Sequence, residues 1–186
     1  MQKKNGRCEV KSVKIYSNGR IVLDGRETVF KEKGLALLEH LYRKEVGDYP
    51  KFFKMDVLCK LGFIASELLL KEESDRFTPR EDRAVLLFGT CGPLCNDKNY
   101  QATVQDYPSP SLFVYTLANI VTGEIAIRNK YKGESSFFIL DGKNEDIMRN
   151  TIEEAFQDPV TQEAVTGWID CRSEDDFEAE IELTRK

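Results

Sequence analysis

Five consecutive apolar residues, Ala84-Val85-Leu86-Leu87-Phe88, stand between the charged segment Glu72 to Arg83 and the turn Gly89-Thr90-Cys91-Gly92. A strand sends alternate side chains to opposite faces, so an unbroken apolar run needs cover on both. This predicts a central strand of an α/β sheet, with helices above and below it. The end of the chain has a different pattern. Phe177, Ala179, Ile181 and Leu183 alternate with Glu178, Glu180, Glu182 and Thr184, the period of a half-buried strand. Val165 to Cys171 reads as the strand before it. A turn at Ser173 to Asp176 makes the two a terminal hairpin, its acidic face read as solvated edge protection.

The 186 residues fit a single domain, taken as 1–186, that is large enough to bury a proper core. An apolar share of 41% with 32% charged residues is ordinary for a soluble globular chain. The net charge of −5 argues against a nucleic acid or an anionic membrane surface as partner. No apolar stretch approaches a bilayer span, and Met1 to Gly6 is followed by no apolar signal region, so a cytoplasmic location is expected. The five cysteines, Cys8, Cys59, Cys91, Cys95 and Cys171, are odd in number and scattered. They do not describe a disulfide framework. Cys91 and Cys95 have the spacing of two metal ligands but lack a second ligand pair, so reduced thiols are expected and no metal or cofactor.

Val10 to Leu23 reads as a hairpin around the Asn18-Gly19 turn. Leu35, Leu38, Leu41 and Tyr42 fall at helical spacing over 31–44, with His40, the one histidine, at the boundary of that stripe. Residues 51–71 predict a longer helix with Phe53, Val57, Leu61, Ile64 and Leu68 on one face. Glu72 to Arg83 reads as a mobile charged loop and 92–111 as a long polar connection. Ser111 or Thr116 is the candidate cap of a helix running to about Lys130, in which Ala118, Gly123 and Ala126 suit close packing. A strand follows at 135–140, then an amphipathic helix over 144–156 with Ile147, Met148, Ile152, Ala155 and Phe156 as its stripe.

The run Ser109-Pro110-Ser111 to Gly133, with Asn119-x-x-x-Gly123 inside it, resembles the segment that leads to the nucleophile in β-ketoacyl-ACP synthases of the thiolase superfamily. Lys54-Met55-Asp56 with the following 57–65, then strand 84–88 and its Gly89-Thr90-Cys91-Gly92 turn, come in the same order as in that family. The resemblance covers about residues 50–142, with an extension to about 171. It implies a thiolase-like half, a three-layer α-β-α fold with a mixed, mainly parallel sheet. In such synthases the strand equivalent to Ser135-Ser136-Phe137-Phe138-Ile139-Leu140 leads into a turn with the catalytic cysteine. Here that position falls near Gly142, and no cysteine lies between Cys95 and Cys171. The family also uses two basic groups, usually histidines, from a C-terminal half. Condensing activity is therefore not expected, although the family is one of acyltransferases.

By the same resemblance, Ser135, Ser136, Phe137, Phe138, Ile139 and Leu140, with Asn119, form a dimer edge. The partner is either a second copy of the chain or a full-length ketosynthase, with acyl carrier protein as a further candidate. The helix at 144–156 carries carboxylates on its wet face, where the family's helix is buried between two halves, so the chain reads as built to stand without the second half. A non-catalytic partner or scaffold in fatty-acid or polyketide-type synthesis is the leading expectation. An acyl-chain or small-molecule binder is the second, drawing on Phe52, Phe53, Phe63, Phe113, Tyr115, Phe137 and Phe138, with a pocket between the 117–130 helix and the 137–142 turn. A residual acyltransferase using Cys91, its thiolate stabilised by backbone amides of the turn, is the third.

Overall fold

The computed structural model describes residues 11–186. Cys8 and Val10 lie outside them. Seven strands form one sheet: β1 Ser12–Tyr16, β2 Arg20–Leu23, β3 Arg26–Val29, β4 Arg83–Gly89, β5 Ser135–Ile139, β6 Glu163–Ser173 and β7 Asp176–Arg185, in the order β3-β2-β1-β7-β6-β4-β5. As the apolar run required, β4 is buried along its whole length. It pairs in parallel with β6 and β5, through Leu87 to Gly167 and to Phe137. The other pairings, β3–β2, β2–β1, β1–β7 and β7–β6, are antiparallel. The sheet is mixed as expected but not mainly parallel, because tight turns join β1 to β2, β2 to β3 and β6 to β7, and a tight turn can only reverse the chain.

Among the described residues six α-helices accompany the sheet: α1 Gly34–Glu45, α2 Val57–Leu69, α3 Leu94–Val104, α4 Pro110–Val114, α5 Ile120–Asn129 and α6 Glu145–Ala155. One face of the sheet carries the main core, where α1, α2 and α5 pack on Val13, Ile15, Val85, Leu87, Val165, Ile169, Ala179 and Ile181. The other face is covered by α6, with Met148, Ile152, Ala155 and Phe156 over Ala84, Leu86, Phe88, Ala164 and Trp168. Ile147, counted in that stripe from the sequence, is exposed.

Several local expectations are corrected. The helix over 51–71 is broken: a 3-10 turn, Pro50–Lys54, precedes α2, and Asp56 caps α2 by accepting from the amides of Leu58 and Cys59 at 3.3 and 3.1 Å. An aspartate stops its own backbone from continuing a helix when it accepts from the next turn. The connection 92–111 contains α3. The helix to Lys130 is split at Tyr115–Asn119, and neither Ser111 nor Thr116 caps a long helix; Ser109 caps α4. Close packing falls on Gly62 of α2, where a methyl would collide with Val121 of α5, whereas Gly123 faces open space. The charged loop is tied down. Arg76 pairs with Glu67, and Phe77 holds φ 67° between the guanidinium groups of Arg76 and Arg128, 4.6 and 4.7 Å away. At the end of the loop Arg83, 2% exposed, binds Glu73 at 2.7 Å, Tyr131 at 2.7 Å and Glu163. Finally, β7 is a central strand, so its glutamates do not protect an edge.

Candidate functional site

The turn after β5 is where the nucleophile position was placed. Leu140 donates to the carbonyl of Gly89 at 2.9 Å, after which Asp141, Gly142 and Lys143 are exposed. A side chain at Gly142 would meet nothing within 4 Å. Asn144 caps α6, accepting from Asp146 and Ile147 at 3.1 Å each. Lys143 reaches from this turn across to the sheet. Its Nζ donates to Oε2 of Glu180 at 2.6 Å, Lys14 stands 3.3 Å from the same oxygen, and the Tyr16 hydroxyl donates to Oε1 at 2.7 Å. Burial opposes the charge on Glu180, but the hydrogen bonds from Lys143 and Tyr16 outweigh it and hold the carboxyl at about 2. Burial, and then the carboxylate, push Tyr16 up to about 12. Sequence reasoning missed this cluster because the acidic alternation of β7 was assigned to an edge.

The histidine is elsewhere. His40 lies on α1, its ring edge-on to Phe30 with centroids 5.7 Å apart and its Nδ1 3.5 Å from Glu32.

Cys91, the weak alternative nucleophile, sits on a turn organised by Asp170. That carboxylate is 2% exposed. It accepts from the amides of Thr90 and Cys91 at 3.1 Å each and from the Thr90 hydroxyl at 2.5 Å. The one hydroxyl proton of Thr90 is thus committed, and its oxygen, 3.2 Å from the Cys91 sulfur, accepts from the thiol. The amides expected to stabilise a thiolate are spent on Asp170, and the thiol itself is a donor. Nothing in the sequence marked Asp170 as the organiser of a turn eighty positions earlier.

The predicted pairing edge is an edge in the fold, since β5 ends the strand order. Phe137 points to the main core, and Phe138 stacks on Phe88 with ring centroids 5.0 Å apart. Ser135 and Ile139, on the same face of β5 as Phe137, are exposed, Ile139 with 60% of its surface, while Ser136 and Leu140 are half-buried. Asn119 is exposed at the start of α5. Gly92 joins the strand to the α4–α5 connection: a methyl there would lie 3.4 Å from Ala118 and 3.5 Å from Ile139. Beside Ala118, Phe113, Val114 and Leu117 are each about half exposed, so an apolar border continues from the edge strand along α4.

A groove of about 1030 Å³ lies on the α6 face, between that helix and the outer side of β1, β7 and β6. Met148, Ile152, Phe156 and Trp168 form its apolar wall, and Lys143 and Glu180 lie within it. None of its lining residues comes from 117–130 or 137–142, where the binder reading placed a pocket. Among the described residues no His, Cys, Asp or Glu side chains are grouped to hold a metal ion, and no helix is long and apolar enough to cross a membrane.

No protein-family model matches the sequence, and no curated protein matches it. Solved structures do share the fold. The chain superposes on the ishigamide ketosynthase/chain length factor with a TM-score of 0.65 at 16% identity, covering 95% of this chain and 61% of that one. It superposes on a ketosynthase, ApeO, in complex with its chain length factor, ApeC, from Xenorhabdus doucetiae with a TM-score of 0.56 at 10% identity, covering 95% and 77%. A type II polyketide synthase assembly of AntDE with the acyl-carrier protein AntF gives 0.61 at 10% identity, covering 95% and 61%. The architecture is the thiolase-like α/β fold of ketosynthases and chain length factors. The chain spans about three-fifths of the length of the first of these.

Proposed function

We propose that this chain is a non-catalytic ketosynthase-like subunit, a pairing or scaffold partner in polyketide or fatty-acid-type acyl-chain synthesis. The observation that carries the reading is the pairing of two features on adjoining elements. An uncovered edge strand, β5, continues into the apolar border of Phe113, Val114 and Leu117, and the turn that follows it holds Gly142 and a lysine in an ion pair. A bare apolar edge invites another strand, and a turn without thiol or imidazole offers no acyl acceptor. The partner is a second copy of the chain or a ketosynthase, with acyl carrier protein as a further component.

Light scattering of the purified chain, alone and mixed with a ketosynthase, tests this. The expected result is a dimer or a one-to-one complex that Ile139→Arg reduces to soluble monomer. Monomers in every mixture would overturn the pairing role. The groove along α6 supports a second reading, a binding domain for an amphipathic ligand, which would become the better account in that case.

A further inference from the structure

Each turn of α6 turns one apolar and one polar side chain towards the groove beside it. Met148, Ile152 and Phe156 form the apolar row. Glu145, Arg149 and Glu153, with Gln157 just past the helix end, form the polar row next to it. Both rows advance four residues at a time, so each runs along one side of the helix. No residue of α6 is fully buried, and Ile147 on its back is 46% exposed. The helix packs on β4 and β6 alone, and β7 and β1 come next in the strand order. Those two strands lie about 5 and 10 Å further across the sheet. Packed helices have axes about 8–10 Å apart, so the open width admits one more helix beside α6.

The polar row selects that helix. From its pattern we infer that the groove is a self-docking surface, in which α6 of a second copy lies antiparallel beside the first, about a two-fold axis level with Thr151. This axis sets Arg149 opposite the second copy's Glu153, and Glu145 opposite the second copy's Gln157, each pair made twice. Met148 falls between the second copy's Ile152 and Phe156, and Ile147 comes against the second copy's sheet. Other alignments fail on charge. A parallel helix faces Glu145, Arg149 and Glu153 with their own counterparts, and an axis level with Arg149 faces Arg149 with itself and Glu145 with Glu153. Like charges so placed repel. Arg149 changes partner at little cost, because its present one, Asp146, is an exposed neighbour on the same helix.

This surface is separate from the β5 edge and does not depend on the pairing proposed there. Its ion pairs face solvent, which makes it the weaker contact. A dissociation constant on the order of 100 μM leaves a dilute Ile139→Arg chain monomeric.

The test is sedimentation equilibrium of the full chain carrying Ile139→Arg, so that the edge strand takes no part, from dilute to roughly millimolar protein. A reversible monomer–dimer equilibrium is expected. Arg149→Glu or Glu153→Arg alone weakens it by about tenfold or more. The double reversal restores it, and so does an equimolar mixture of the two single variants. A chain that stays monomeric at the highest concentration, single variants that associate as the parent does, or a double reversal that restores nothing overturns the proposal. Arg149 and Glu153 are both exposed, so these variants keep the fold. Should Ile139→Arg fail to fold, the same reversals are read in the wild-type chain, on the step from edge dimer to tetramer or, where the edge does not pair, from monomer to dimer.

Discussion

Lys143 Nζ and Glu180 Oε2, 2.6 Å apart, join the turn in front of α6 to the middle of the sheet. Glu180 is held well below its ordinary range, at about 2. A depressed carboxylate stabilises the fold above its unfolded value, and this stabilisation is lost as pH falls from about 4.5 towards 2. The group is partly solvated, so the contribution is discounted to about 1–2 kcal/mol. Glu180→Gln is expected to cost about that much at pH 7 and to flatten the acid limb, as read by urea denaturation at pH 3 and pH 7.

Asp56 behaves in the opposite sense. Burial raises it to about 6 against the pull of the two amides it caps. A raised carboxyl stabilises most in its protonated form, fully below the unfolded value near 3.8, and that contribution is lost as pH rises through about 6. Asp56→Asn keeps a cap of similar quality without the buried charge. It is expected to match or exceed the parent by about 1–2 kcal/mol at pH 7 and to lose that advantage by pH 4, a comparison that denaturant melts of both proteins settle.

Arg83 lies between Glu73, Glu163 and Tyr131 with almost no exposure. Arg83→Met takes from Glu73 the guanidinium that binds both its oxygens, while Glu163 keeps Arg80 and Arg185 at 2.9 Å each, so a loss of about 3–5 kcal/mol is expected from the carboxylate left unpaired. Thermal melts measure it, and a loss under 1 kcal/mol would show that the network is solvated.

Two glycines separate backbone need from packing need. Gly167 has φ 146°, and a methyl there would collide with the Glu180 carbonyl and lie 2.7 Å from the Ile181 Cα. Gly167→Ala is expected to cost about 3 kcal/mol or more, since neither backbone can yield. Gly123 sits in α5 with open space around it, so Gly123→Ala is expected to stabilise by about 0.5–1 kcal/mol through helix propensity. Chemical denaturation of both variants compares the two.

Much of the fold was legible because it is local or periodic. The apolar run at 84–88 fixed a central strand, Asn18-Gly19 fixed the first hairpin, and the alternation of 177–184 fixed which side of β7 is buried. Helix ends were less legible. The break at Asp56 depends on a side chain outbidding its own backbone, and the split at Tyr115–Asn119 lies inside a run with no proline or glycine. The site was legible in part: the β5 strand and the apolar stripe of α6 could be placed from the sequence, but Glu180 and Asp170 could not.

The sequence alone settled the strands at 84–88, 135–140, 165–171 and 177–184, the helix over 144–156, and that no thiol or imidazole lies between Cys95 and Cys171. Only the tertiary structure decided that β7 is central, that Lys143 meets Glu180, Tyr16 and Lys14, and that Asp170 takes the amides beside Cys91. The reason is physical. Secondary structure and amphipathicity follow from neighbours within a few residues, whereas strand order and buried charge pairing depend on which distant segments come together when the sheet closes over one core.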